Sequence, residues 1–142
     1  MSVPKPQRNE SEVEFLHTAR KLLEFTLRRS KKIPKRFTFT LTNRLVDTAW
    51  AVYDSVKAGN SVFPSNQHEV QTRRDHFLNT RATLNVLVGQ IEVAAEFAPI
   101  DGETMREWMG LVRTELNLVK GVLDADKRRY KSGRRASPTP LA

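Results

Sequence analysis

The chain has 142 residues and a net charge of +8, and hydrophobic residues make up 39% of it, a low share for a globular protein. This length suits a single domain, and the absence of cysteine excludes disulfides and thiolate metal sites. No apolar run is long enough to span a membrane, and the first residues, MSVPKPQRNESEVE, lack the apolar segment of a secretory signal. The sequence therefore favours a cytoplasmic protein.

The N-terminal part of the chain is predicted to be a disordered segment followed by a helix. Residues 1–11 are polar and contain two prolines, a composition typical of disorder. From about residue 11 to residue 31, apolar residues recur at the spacing of an amphipathic helix. Pro34 ends this helix, because a proline pushes the residue before it out of helical geometry.

The next segment, RFTFTLTNR, alternates apolar and polar residues as a β-strand would. A single strand would have no partner, however, and the apolar pattern continues at helical spacing beyond it. We therefore predict a second helix over residues 38–58. Gly59 is expected to close it in the left-handed conformation.

A third and longest helix is predicted to start at Ser65 or Asn66 and to end near Phe97. Its apolar residues repeat every seven positions, which is typical of helices that pack in a bundle. Gly89 lies inside this helix, where we expect it to mark the close approach of a neighbouring helix.

The fourth helix is predicted to follow Pro99, with Asp101 as its N-cap, and residues 131–142 are predicted to be a disordered basic tail. Beside its main apolar stripe runs a second apolar line, formed by Leu111, Leu118 and Val122. This line indicates either contact with another subunit or a wider core face. The sequence thus predicts an all-α protein: an antiparallel up-down-up-down four-helix bundle over residues 12–130.

The positive charge is concentrated in two runs. Residues 28–36 and residues 127–135 each hold six lysines and arginines and no acid. The rest of the chain has 12 basic and 16 acidic residues, a net charge of −4. A mildly acidic body with two basic segments is the distribution expected of a polyanion-binding protein, although one such run alone would more simply be a solvated turn or tail.

Three arginines of the third helix, Arg73, Arg74 and Arg81, form a basic line beside its apolar stripe. Each one taken alone is best explained as a surface residue that pairs with nearby acids. As a set they favour phosphate contacts along a groove or an opening of an assembly. The candidate nucleic-acid-binding residues are therefore Arg28, Arg29, Lys31, Lys32, Lys35, Arg36, Arg44, Arg73, Arg74, Arg81, Lys127, Arg128, Arg129 and Lys131.

No catalytic motif is present in the sequence. It lacks a glycine-rich phosphate loop, a zinc-protease motif and a nucleophile elbow. Glu92 and Glu96 lie one helical turn apart, but the Glu-x-x-His motif of bundle metal sites is missing. We therefore expect no enzymatic activity, no metal and no cofactor.

The stretch KKIPKRFTFTLTNRLVDTAWAVYDSV resembles the first hairpin of a small family of four-helix bundles. The family includes the ribosomal-RNA intervening-sequence proteins and the accessory variability determinants of diversity-generating retroelements. The resemblance covers residues 12–130. It rests on the basic residues around Pro34, on Phe37, Phe39 and Leu41 at alternate positions, and on a long third helix followed by a helix that carries tryptophan.

The resemblance implies a non-enzymatic protein that assembles as a homopentamer and binds a reverse transcriptase together with template RNA or cDNA. In that role it supports mutagenic cDNA synthesis. By position, the resemblance places the family's basic junction at Lys32, Lys35, Arg36 and Arg44. It places the basic face of the third helix at Arg73, Arg74 and Arg81. Intervening-sequence relatives lack the polymerase partner, and the basic excess favours the retroelement subgroup.

Two alternatives remain open at this stage. The first is a protein-only interaction module that docks an acidic partner. The second is a DNA-binding accessory of another mobile element. Salt dependence separates polyanion binding from the protein-only module. A preference for RNA over DNA distinguishes the retroelement accessory from the DNA-binding accessory.

Overall fold

The computed structural model describes the backbone of residues 10–136 and the side chains of residues 14–131. No strand occurs among these residues, which confirms the prediction of an all-helical chain with four helices. The helices are α1 (Glu10–Ser30), α2 (Asn43–Asn60), α3 (Gln67–Phe97) and α4 (Gly102–Ala136).

The two predicted disordered segments overlap helices where the structure describes them. Helix α1 already includes residues 10 and 11, and α4 continues six residues past the predicted end of the bundle at residue 130, so that residues 131–136 are helical. The rest of both segments, residues 1–9 and 137–142, lies outside the described residues.

The last part of the connection between α1 and α2, residues 35–42, is helical but not α-helical. Pro34 is extended, with φ −55° and ψ 145°, and is followed by a single 3₁₀ turn, Lys35–Phe37. A π-helical turn, Thr38–Thr42, then leads directly into α2. The helical interpretation of RFTFTLTNR is thus correct, whereas the α-helix itself begins five residues later than predicted.

Both glycine predictions are wrong, for reasons that lie in the neighbouring helix. Gly59 lies inside α2 without a positive φ, and a Cβ there would come within 2.9 Å of two ring carbons of Phe77 on α3. Gly59 is therefore the residue that permits a close approach of helices. Around Gly89 no atom would lie within 4 Å of an added Cβ.

Each helix packs against its neighbours in the chain, and α1 also packs against α4. The core is apolar and includes Phe15 and Phe77, whose rings pack edge-to-face with their centroids 5.4 Å apart. Trp108 near the start of α4 donates its indole N–H to the hydroxyl of Thr26 near the end of α1 (3.0 Å). One end of the bundle therefore holds the end of α1 and the start of α4.

Candidate nucleic-acid interface

The first basic run lies at the end of α1, where the helix unwinds before Pro34. The backbone N–H groups of Lys32 and Ile33 donate to the carbonyls of Arg29 and Ser30 and close the last turn. Ile33 is buried and packs with the core, so it anchors the turn beside the exposed Lys31 and Lys32. We call this region the basic corner; its cations are Arg28, Arg29, Lys31, Lys32, Lys35 and Arg36.

Five of these six side chains are exposed, and Arg29 is half-buried over the ring of Phe25 (5.4 Å to the centroid). None of the ion pairs within residues 14–131 includes a cation of the basic corner. The carboxylate of Asp101, the N-cap of α4, lies near Arg29 and Lys32. Its pKa is held below the usual range by the hydrogen bond from the Thr104 backbone N–H, with smaller contributions in the same direction from Arg29 and Lys32.

Arg73 is buried and is excluded from any nucleic-acid-binding surface. It is 4% exposed, and its Nε donates to Oδ2 of Asp126 on α4 at 2.6 Å. Its Nη1 donates to the carbonyl oxygens of Gly59 and Val62 at 3.3 and 3.2 Å. The guanidinium thus ties α4 to the carbonyls at the end of α2, so the predicted phosphate contact is replaced by a structural role.

The other two arginines of the predicted basic line also differ from each other in position. Arg74 is half-buried and lines a cleft of about 350 Å³ between the start of α3 and the end of α4. Arg81 is exposed further along α3 and does not line this cleft. The three arginines of the predicted line therefore differ in their surroundings: Arg73 is buried, Arg74 lines the cleft and Arg81 is exposed outside it.

The cleft beside Arg74 contains two of the six cations of the second basic run. Lys127, Tyr130 and Lys131 of α4 line it, while Arg128 is exposed outside it. The guanidinium of Arg129 lies 5.7 Å from the centroid of the Tyr130 ring. We call the site lined by Arg74, Lys127, Tyr130 and Lys131 the basic cleft.

The basic corner and the basic cleft lie at opposite ends of the bundle. Trp108 contacts the end of α1, whereas Asp126 contacts Arg73 near the start of α3. These two positions on α4 are separated by roughly 18 residues, or about 27 Å at the helical rise of 1.5 Å per residue. The two runs therefore form two separate surfaces in one chain.

Arg44 belongs to a third surface. It is exposed on the first turn of α2 and lines an apolar groove of about 370 Å³ together with Leu41 of the π-helical turn and Val86 and Val93 of α3. Phe39, in the same π-helical turn, is 83% exposed. The exposure of Phe39 was not predicted from the sequence, because the strand-like alternation groups Phe39 with Phe37 and Leu41, which are half-buried and pack against the core.

The second apolar line of α4 is less exposed than this groove. Leu111, Leu118 and Val122 are each half-buried and pack against the core of their own chain. The wider core face considered in the sequence analysis thus accounts for part of their surface. The part that stays accessible is available to another subunit.

Glu115 is the most unusual polar residue of the interior. It is fully buried on the core-facing stripe of α4, and neither carboxyl oxygen has a hydrogen-bond partner. Burial raises its pKa to about 8. At neutral pH the side chain is therefore mainly the uncharged acid, which is consistent with its position among apolar neighbours.

Among the described residues, no group of three or more histidine or acidic side chains could hold a metal ion. Within residues 10–136, no helix combines the length and apolar character that a membrane span requires. The chain matches no protein-family model, no curated protein and no solved structure. No relative therefore assigns a role to the basic corner, the basic cleft or the groove.

Proposed function

We propose that the protein is a non-enzymatic accessory subunit of a diversity-generating retroelement. In this proposal it acts in the cytoplasm, binds template RNA or its cDNA together with the reverse transcriptase, and supports mutagenic cDNA synthesis. The fold proposed is an antiparallel up-down-up-down bundle. Its support is that the end of α1 meets the start of α4 at Thr26 and Trp108, and the end of α2 meets the start of α3 at Gly59 and Arg73.

The basic corner is the observation that carries the proposal. It presents exposed cations, and none of them takes part in an ion pair within the described residues. Cations that lie close together without acidic partners attract the phosphates of a nucleic-acid backbone, and release of counterions makes such binding sensitive to salt. The resemblance of this segment to the accessory proteins supplies the biological setting.

Assembly is the second part of the proposal. The resemblance implies a homopentamer, and the accessible parts of Leu111, Leu118 and Val122 together with the exposed groove supply apolar surface for contact between subunits. Joining several copies would multiply the basic corners and so increase the affinity for one long polyanion.

The test is RNA binding over a series of salt concentrations. A variant in which Lys31, Lys32, Lys35 and Arg36 are replaced by glutamine is compared with a matched variant that carries Lys21→Gln, Lys57→Gln, Arg113→Gln and Lys120→Gln. All eight residues are exposed, so both variants lose the same charge while keeping the core. We expect weaker binding and a shallower dependence of log affinity on log salt only in the first variant. Equal losses in both variants would show a net-charge effect and contradict a site at the basic corner.

A protein-only docking module is the second candidate function. The apolar groove favours it, because Arg44 provides a positive charge at an apolar surface. Such a module would bind an acidic protein partner and no RNA. Absence of RNA binding even at low salt would select this function. Tighter binding of DNA than of RNA would select a DNA-binding accessory instead.

A further inference from the structure

We infer that the basic cleft binds an unpaired nucleotide of a single strand, with its base stacked on Tyr130 and its phosphates held by Arg74, Lys127 and Lys131. This inference rests on the proposed function. It adds the form of nucleic acid that is bound and a site at the opposite end of the bundle from the basic corner.

Tyr130 supplies the surface for the base. Its ring is half-buried, so it is held in place while it still lines the cleft. The guanidinium of Arg129, at 5.7 Å from the ring centroid, interacts favourably with the ring. Stacking on an aromatic ring stabilises binding and tolerates any base, since every base has a π-face. A base in a duplex is already stacked on both sides and does not offer such a face.

The charges of the cleft favour a phosphate in spite of one carboxylate in its lining. Arg74, Lys127 and Lys131 are positive, and none of them takes part in an ion pair within the described residues. The carboxylate is that of Asp126, which is bound by the buried guanidinium of Arg73. Because this pair is neutral as a unit, the three lining cations determine the sign of the electrostatic potential in the cleft.

The size of the cleft also fits a single nucleotide unit. Its volume of about 350 Å³ lies at the lower end of the range of pockets for small organic ligands. The aromatic ring and the cations belong to adjacent faces of α3 and α4, so base and phosphate can be contacted at the same time. Arg73 joins the two helices at this point through its ion pair with Asp126, which also lines the cleft.

The experiment measures binding of the full-length protein to a short unstructured RNA, a DNA of the same sequence and a duplex RNA. The variants are Tyr130→Leu, Tyr130→Phe and Arg74→Gln, with Arg113→Gln as the charge-matched control from a separate exposed position on α4. The single strands carry 2-aminopurine, whose fluorescence falls when it stacks on an aromatic ring. Circular dichroism checks that each variant keeps the helicity of the native chain.

We expect Tyr130→Leu to weaken binding of the single strands about tenfold, with an unchanged salt slope, and to leave duplex binding unaltered. Tyr130→Phe should keep both the affinity and the fluorescence quenching, since it keeps the ring. Arg74→Gln should make the salt slope for single strands shallower by about 0.7, the value for one phosphate contact, whereas Arg113→Gln should not.

The outcomes separate this inference from the proposed function. Single-strand binding that is equal in the native protein and in Tyr130→Leu would overturn the inference and leave nucleic-acid binding at the basic corner intact. Equal weakening of single-strand and duplex binding in Tyr130→Leu would overturn it as well, because it would indicate a structural role of the ring. A native protein that binds none of the three nucleic acids would contradict the proposed function itself.

Discussion

Arg73 of α3 and Asp126 of α4 form a buried ion pair, 53 positions apart in sequence, with 2.6 Å between Nε and Oδ2. The pair does not stand alone, because the same guanidinium donates to the carbonyls of Gly59 and Val62 and lies 5.1 Å from the Phe77 ring centroid. The Arg73 side chain of α3 therefore contacts α4, the end of α2 and the loop after α2 at the same time.

Replacement of Arg73 by methionine should lower the free energy of unfolding by about 3–5 kcal/mol, because it leaves a buried carboxylate without its partner. Urea denaturation measures this change. Arg81→Met is the matched control, since Arg81 is exposed on the same helix and should change stability by no more than about 0.5 kcal/mol. Equal stabilities of the two variants would contradict the structural role of Arg73.

Gly59→Ala should destabilise the protein by about 1–3 kcal/mol, the usual cost of overpacking a core. The added methyl group would lie 2.9 Å from two carbons of the Phe77 ring, and that ring is fully buried against Phe15. Gly121→Ala on α4 is the control, because no atom lies within 4 Å of the added Cβ there. It should be neutral or stabilise by up to about 1 kcal/mol through the higher helix propensity of alanine. Thermal unfolding of both variants would decide, and a stabilised Gly59→Ala protein would count against the close approach of α2 and α3.

The two basic surfaces should act independently in the binding of short oligonucleotides, since they lie at opposite ends of the bundle. Glutamine variants of Lys31 and Lys35 at the corner and of Lys127 and Lys131 at the cleft should then have additive effects on the free energy of binding. A thermodynamic cycle of the two double variants and their combination measures the coupling. Coupling well above about 0.5 kcal/mol would show that one short strand contacts both ends of the bundle.

Glu115→Gln should change the pH dependence of stability. The pKa of Glu115 is about 8 in the folded protein against 4.5 in the unfolded chain, so the unfolded state binds fewer protons between these values. Stability therefore falls as pH rises from 4.5 to 8, by up to about 5 kcal/mol from this residue. Glutamine removes this loss. The free energy of unfolding of the variant should therefore rise relative to that of the native protein as pH increases from 4.5 to 8. Urea denaturation at several pH values measures the difference. Glu107→Gln, at an exposed position of α4, should show no such trend.

Helix starts and apolar stripes could be predicted from the sequence because their causes are local. Asn66 and Asp101 each accept a backbone N–H three residues ahead, as expected of N-caps. The π-helical turn at Thr38–Thr42 has no such local signal. It leads from the 3₁₀ turn directly into α2, and no residue type in the segment marks its hydrogen-bond pattern.

The charged residues of the interior could have been found by spacing but not by residue type. Arg73 lies four residues before Phe77 and so on its buried face, and Asp126 lies three residues after Leu123 on the corresponding face of α4. The pair was not predicted because the sequence analysis treated Arg73 as a surface residue. The two glycines differ only in what the neighbouring helix places beside them, which no local pattern records.

Because Glu115 holds its proton in the folded state and loses it in the unfolded chain, folding at neutral pH takes up nearly one proton at this position. The buffer must release that proton, and its heat of ionisation then becomes part of the heat of folding. Unfolding enthalpies measured by calorimetry at one pH in phosphate and in Tris should therefore differ. The difference should become smaller in the Glu115→Gln protein.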